Sequence, residues 1–247
     1  MAKSNWWSNA IGKSRGTPIP SGQATEAYFA SNGQLEDRPA LRLYEKLIGR
    51  YSEGVIVDWG CGSGSMLKRL QHYESVIGYD VSPAARELAN SLIPRATIVS
   101  EPSAIESGSV DAIIALHVLE HMDDAGLEVT LMEWLRILKP WGVLLIATPD
   151  LDGKGAKIKG AEWVGFSDPS HTNLKGADAW RMLFLSKGFE LIEEGSDGLW
   201  DGPYTTSLRL ERFVRLIPSA VAVLIGRLIS RVGSGESYIS IWRVLKV

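Results

Sequence analysis

The residues best placed to do chemistry lie in the run V-I-V-D-W-G-C-G-S-G-S-M-L at residues 55–67. Val55, Ile56 and Val57 form the short β-branched run of a strand buried on both faces, and Gly60, Gly62 and Gly64 then remove every second side chain. A ligand can approach such a backbone closely. The turn leads into a predicted helix at 65–73, whose free N–H groups add positive potential at the same point. The spacing is G-x-G-x-G, not the G-x-G-x-x-G of dinucleotide binders, and no G-K-S/T follows as a phosphate-binding loop requires. Asp58, just ahead of the glycines, would repel a pyrophosphate and suits a cationic, amino-acid-bearing ligand. A second group is H-V-L-E-H, where His117, Glu120 and His121 match the H-x-x-E-H spacing of a zinc protease. Two histidines four apart on a helix share a face and can hold a metal. Here the string follows a predicted buried strand, outside the context that gives the motif its meaning, and no metal is assigned.

The surrounding elements must bring these residues together. Residues 76–79 read as a second strand ending in Asp80, where nucleoside-binding folds place an acid that accepts hydrogen bonds from ribose hydroxyls. Ser82 and Pro83 form an N-cap with proline at the first helical position. Residues 96–100 give a third strand and 110–116 a fourth, which runs into H-V-L-E-H. Asp123 and Asp124 cap a helix with a stripe of Leu127, Leu131, Leu135 and Leu138. Residues 136–149 supply a helix end, a turn and a fifth strand; 177–187 form a helix stopped by Gly188; a sixth strand starts at Phe189, and 236–245 alternate as a further strand. Two long connections interrupt this plan. Residues 150–175 lack clear structure and hold Trp163, Phe166, Asp168, His171 and Asn173. Residues 198–235 hold Trp200, Asp201 and Tyr204, then an apolar, basic segment at 208–231. Arg209, Arg212, Arg215, Pro218 and Arg227 break that segment, so it has no run near the ~20 apolar residues that span a bilayer. It reads either as a helical lid or dimer face, or as a helix lying in a membrane interface.

Near the N-terminus, Leu41, Tyr44, Leu47, Ile48 and Tyr51 share one face of an amphipathic helix predicted over 35–51. Residues 1–23, with Trp6 and Trp7, show no period and read as a flap or a loosely docked segment. The 247 residues suit one α/β domain with additions. A net charge of −3, with acids and bases interspersed, offers no basic field for nucleic acid, which is not expected as a partner. The single cysteine, Cys61, cannot form an internal disulfide, and the N-terminus lacks the apolar region of a signal peptide; both agree with a cytoplasmic location.

These segments, in this order over roughly residues 55–149, resemble the class I S-adenosylmethionine-dependent methyltransferases, with V-D-W-G-C-G-S-G similar to that family's first motif. The resemblance implies an α/β, Rossmann-like doubly wound sheet of seven strands in the order 3-2-1-4-5-7-6, strand 7 antiparallel, with helical insertions over the site. The domain would cover 35–247, insertions at about 150–175 and 198–235 included, and 1–34 would be an N-terminal extension or flap. The implied cofactor is S-adenosylmethionine (SAM), its product S-adenosylhomocysteine (SAH). Carried over residue by residue, its site comprises Asp58, Gly60, Cys61, Gly62 and Gly64 in the first motif and Asp80 and Val81 after the second strand. Glu101, Pro102 and Ser103 would hold the adenine, and Leu116 and His117 would border the methionine part. Residues 28–34 resemble an N-terminal addition of a bacterial subgroup, with Tyr28 as an aromatic facing the cofactor.

The implied reaction moves a methyl group in line from sulfonium to nucleophile. The expected acceptor is a small molecule, such as a sugar, a lipid-linked glycan or a secondary metabolite, with oxygen ahead of nitrogen or carbon, since the N/D-P-P-Y signature of amino-methylating relatives is absent after strand four. His171, in S-D-P-S-H-T-N on a loop over the cleft, is the leading base for a hydroxyl acceptor, followed by Asp201 and His117. Two other readings stay open: a noncatalytic SAM-binding module, and a peripheral-membrane enzyme acting on a lipid, with 208–231 making the membrane contact or a dimer.

Overall fold

A computed structural model describes residues 39–199 and 209–245. Strand β1 (Val55–Trp59) lies near the middle of a seven-stranded sheet. It pairs in parallel with β2 (Ser75–Tyr79) on one side and β4 (Val110–Leu116) on the other. With β3 (Thr97–Val99), β5 (Leu138–Pro149), β6 (Phe189–Ser196) and β7 (Ser237–Val244), the order is β3-β2-β1-β4-β5-β7-β6, and β7 runs antiparallel to both neighbours. The chain steps outward from β1 through β2 to β3 and then returns to place β4 on the opposite side. The strand order reverses there, at the carboxyl ends of β1 and β4, the place where open α/β sheets bind ligands.

The central strands read as continuous apolar runs because helices cover both faces. Along them, alternate residues enter different cores. Ile56, Ile114, Leu145 and Ile241 join Leu43 and Leu47 of helix α1 (Pro39–Ile48) and Leu67 and Leu70 of α2 (Ser65–Leu70). Val57, Ile113, Leu144 and Trp242 face the other way, onto Leu131 and Trp134 of α4 (Asp124–Ile137) and Trp180 and Phe184 of α7 (Ala177–Ser186). Helix α3 (Pro83–Leu92) starts as its sequence directs, with the Ser82 hydroxyl accepting from Ala85 N at 3.3 Å and proline at the first turn. Asp123 caps α4 by accepting from Gly126 N at 2.7 Å.

Three segments differ from the sequence expectation. The helix expected at 65–73 ends at Leu70. The turn expected before the fifth strand is instead an irregular part of β5, in which Val110 pairs with Leu138 and Ala112 with Val143, and Trp141 takes a left-handed φ of 67°. The connection after β5 is not structureless. It folds into α5 (Lys154–Lys159), a 3-10 turn (Gly160–Glu162) and α6 (Val164–Ser167), with Trp163 fully buried as its anchor. The late insertion contains helix α8 (Arg209–Ile225), whose end is tied to α1 where Lys46 Nζ donates to the carbonyls of Val223 (3.1 Å) and Leu224 (2.8 Å).

The depth of the α4 contact sets a measurable cost. Leu131 is wholly buried and Met132 beside it is 62% exposed. Leu131→Ala is expected to lower stability in urea by about 2–5 kcal/mol, and Met132→Ala to leave it within about 0.5 kcal/mol.

Candidate functional site

At the end of β1 the chain turns on three glycines with left-handed φ: Gly60 at 77°, Gly62 at 52° and Gly64 at 85°. At Gly60 a second constraint adds to the first, since a Cβ there would stand 2.5 Å from Val118 Cγ2, just past β4. The turn is pinned to the end of β2. Gly60 N and Cys61 N donate to Tyr79 O at 2.7 and 3.0 Å, and Gly62 N donates to Asp80 Oδ2 at 2.9 Å. The other Asp80 oxygen accepts from Ser82 N at 2.8 Å, and Arg86 Nη1 donates to the Asp80 backbone carbonyl at 2.7 Å. Burial pushes the Asp80 carboxyl up, while these N–H groups and the Arg86 charge pull the other way. A carboxylate has about four lone-pair sites, so Asp80 can brace the turn and still accept from a ligand.

Asp58 is different. It is 2% exposed, and its Oδ2 has no hydrogen-bond partner. Burial, and then the neighbouring Asp80 charge, push it up to about 7. A buried carboxylate without a counter-charge is costly. A ligand carrying a positive group would remove that cost. Cys61, also in the turn, is buried with its thiol pushed up by burial, so it offers backbone and packing, not a nucleophile.

Other expected cofactor residues line the same carboxyl edge. Val81 is 59% exposed beyond β2; Glu101 and Ser103 are exposed and Pro102 half-buried at the 3-10 turn after β3; Leu116, half-buried, ends β4. His117 follows with a left-handed φ of 56°, uncommon for a residue with a side chain, and its N–H donates to Ala147 O at 2.7 Å. Its imidazole is 43% exposed, and Nδ1 lies 3.3 Å from Oε1 of Glu120, which is wholly buried. Burial alone would raise the Glu120 carboxyl, but the contact and charge of His117, with His121 adding to them, hold it below its usual range. Thr148 Oγ1 donates to the other Glu120 oxygen at 3.2 Å. The backing of His117 by Glu120 was not among the expected roles, although both letters stand in H-V-L-E-H.

His171, expected on a loop over the cleft, has a largely buried side chain. Its side chain is 7% exposed, its Nδ1–H donates to Gly165 O at 3.0 Å, and its ring lies 4.7 Å from that of His121. Asp197, unremarked in the sequence, follows β6 and fixes the start of β7 by accepting from Glu236 N (3.2 Å) and Ser237 N (2.9 Å). Burial raises its carboxyl, and the His117 charge is among the influences opposing that rise. Tyr28 and Asp201 lie outside the described residues.

Comparison with known proteins gives this geometry a family. Residues 32–194 match the sequence model of a family described as a methyltransferase domain. A probable S-adenosylmethionine-dependent methyltransferase of Mycolicibacterium smegmatis is 30% identical over 168 residues, 65% of this chain and 60% of that protein, so the chain spans about three fifths of that relative's length. The ubiquinone biosynthesis O-methyltransferase of Nitrosomonas europaea is 24% identical over 184 residues, covering 69% of this chain and 77% of its own. In fold, the plantazolicin methyltransferase BpumL in complex with SAH superposes with a TM-score of 0.56 at 16% identity, over 89% of this chain and 88% of that one. The residues present fit SAM on their own terms. An unpaired buried carboxylate, a turn with no side chains and an acid at the end of β2 suit a ligand with a positive amino-acid end and a ribose.

The raised pKa of Asp58 fixes the sign of a pH effect. Its value of about 7 stands above the ordinary 3.8, so the protonated form is the one the ligand-free fold favours. Its contribution is full below about pH 4 and is lost as pH rises through about 7. Urea denaturation of the ligand-free chain should show stability falling across that window, and Asp58→Asn should flatten the fall.

Proposed function

Because this chain belongs to the methyltransferase-domain family, with the sheet and glycine turn of the class I S-adenosylmethionine-dependent enzymes, we propose that it transfers the methyl group of SAM to an oxygen of a small-molecule acceptor. The observation that carries this reading is Asp58, a buried carboxylate whose Oδ2 has no partner beside a turn without side chains. When bound, SAM supplies a methyl group on a sulfonium that needs no further activation to leave. Asp58 would meet the positive amino-acid end, the Gly60, Gly62 and Gly64 backbone would take the close approach, and Asp80 would accept from the ribose. Glu101, Pro102 and Ser103 would border the adenine. What remains for the protein is to hold acceptor and methyl about 3–3.5 Å apart in line and to keep water out.

Of the three residues considered for handling the acceptor hydroxyl, His117 has the geometry for it. It stands half exposed at the end of β4 in a fixed backbone conformation, and Glu120 backs its ring. His117 would accept a hydrogen bond from the acceptor hydroxyl, orient its oxygen toward the methyl group and take its proton as the O–CH3 bond forms and the S–CH3 bond breaks. The preference for oxygen draws support from the resemblance to the O-methyltransferase of Nitrosomonas europaea.

A second reading concerns where the acceptor resides. Ile217, Val221, Leu224 and Ile225 recur at helical spacing on α8 and are 46%, 38%, 74% and 51% exposed. Among the described residues no helix is long and apolar enough to cross a membrane, so this stripe suits contact with a membrane surface and a lipid-borne acceptor.

Incubating the purified chain with methyl-labelled SAM and a panel of phenols, sugars and lipid-linked glycans should give label on an oxygen and an equal amount of SAH. His117→Asn should lower turnover by about 10²-fold and largely keep affinity for SAH; unchanged turnover would remove His117 from the reaction. Flotation with anionic vesicles decides the second reading: the chain should rise with the vesicles and the Leu224→Glu variant should not, and a wild-type chain that stays behind would exclude a membrane-bound acceptor by this route.

A further inference from the structure

One polar cluster beside this site is not used by SAM binding. It joins the 3-10 turn after β4 (Leu119–His121) to the connection between β5 and α7. A carboxylate oxygen of Glu120 and one ring nitrogen each of His121 and His171 lie within 4.8 Å of one another. His121 and His171 are 50 residues apart in sequence, so the fold, and not the H-x-x-E-H spacing, supplies the third donor.

The hydrogen bonds around the cluster fix the tautomers. Nδ1 of His171 faces the Gly165 carbonyl at 3.0 Å, which can only accept, so Nδ1 carries the proton. Nδ1 of His121 lies 3.3 Å from the Ser170 carbonyl and 3.0 Å from Ser170 Oγ. Ser170 Oγ gives its own hydrogen to Asp168 Oδ1 and so accepts from His121. In their neutral forms both imidazoles therefore keep a lone pair on Nε2, that of His171 standing 3.9 Å from Asp168 Oδ2. An imidazole whose other nitrogen donates to a carbonyl or a hydrogen-bonded side chain is the arrangement found behind metal-bound histidines. Independently, Glu120 is 0% exposed and its Oε1 has no hydrogen-bond partner; His117 Nδ1 stands 3.3 Å away without hydrogen-bond alignment. His117 supplies part of the positive surroundings that a wholly buried carboxylate needs, and a bound cation would complete them.

We propose that Glu120, His121 and His171 bind one divalent transition-metal cation. Two imidazoles and one carboxylate select zinc and its first-row neighbours over magnesium or calcium, which prefer all-oxygen sites. In a tetrahedral zinc site with bonds of about 2.1 Å the ligand atoms stand about 3.4 Å apart. The donors now lie within 4.8 Å of one another, so binding the cation draws them together by up to about 1.4 Å. The bound cation would staple the β5–α7 connection to the end of β4, next to His117, and leave at least one coordination position for water or an oxygen ligand.

The test uses the full-length chain, stripped with chelator and dialysed, without SAM or acceptor, so its outcome is separate from that of the methyl-transfer reading. Calorimetric titration with Zn2+ should show one site per chain, with Mn2+ weaker and Mg2+ weaker still. The His121→Ala/His171→Ala double variant should bind Zn2+ at least about 100-fold more weakly. Zn2+ should also slow tryptic cleavage at the exposed Lys154 and Lys157 in the wild type and leave it unchanged in the double variant. If circular dichroism shows the double variant unfolded, His171→Gln, which keeps an N–H for the Gly165 carbonyl but has no imidazole, serves in its place. Equal Zn2+ affinity in the wild type and a folded variant would overturn the proposal.

Discussion

The site depends on two carboxylates in adjacent strands that are treated in opposite ways. Asp80, at the end of β2, is satisfied: it accepts from Gly62 N across the turn and from Ser82 N at the start of α3. Asp58, in β1, is buried and left without a partner at Oδ2. The pair can be this close only because β1 and β2 lie in tight parallel register, with Asp58 opposite Gly78. A Cβ at Gly78 would meet Leu67, Ile98 and Cys61 side chains at 2.7 to 3.0 Å, so glycine there lets α2, β3 and the turn close around the acids. The energetic strain of an unpaired buried carboxylate is thereby concentrated where a cationic cofactor can relieve it. On the proposed reading, binding and folding would draw on the same group.

Much of this was legible in the sequence, for physical reasons that hold locally. The strand at 55–57, the glycine turn and the Ser82-Pro83 cap are each encoded by adjacent residues, and the order of the sheet follows from the family resemblance those residues carry. Asp80 was identifiable because its place at a strand end is a matter of counting. That Asp58 lacks a partner was not readable, because it depends on what the neighbouring strands fail to offer. His171 shows the same limit more sharply. Its side chain is largely buried against Gly165 O and the His121 ring, and neither contact leaves a periodic trace in the sequence. The 150–175 connection looked featureless since its helices are four to six residues long, too short for a hydrophobic period; burial of Trp163 organises them instead.

In the proposed reaction His117 and Glu120 would link the cofactor to the acceptor. The left-handed backbone at His117 ends β4 and lifts the imidazole partly into solvent, while Thr148 of β5 and the 3-10 turn hold Glu120 beneath it. The neighbouring histidines then tie the inserted connection to the same turn, through Ser170 and through Asn173 N, which donates to Glu120 O at 3.0 Å. The sheet supplies the edge proposed to hold the cofactor, and the connection after β5 and α8 are additions around it.

The central claim, that Asp58 awaits the positive charge of SAM, is tested most directly by counting the protons exchanged when SAM binds. Calorimetric titrations would be run in buffers of different ionisation enthalpy, for the wild type and for Asp58→Asn. With the Asp58 carboxyl at about 7 before binding and driven to its charged form by the ligand, the wild type should release close to a full proton more than the variant at about pH 6 and little more at about pH 8. It should also bind SAM more tightly than the variant. Equal proton release and equal affinity in the two chains would contradict the account and leave Asp58 a buried acid with no part in holding the cofactor.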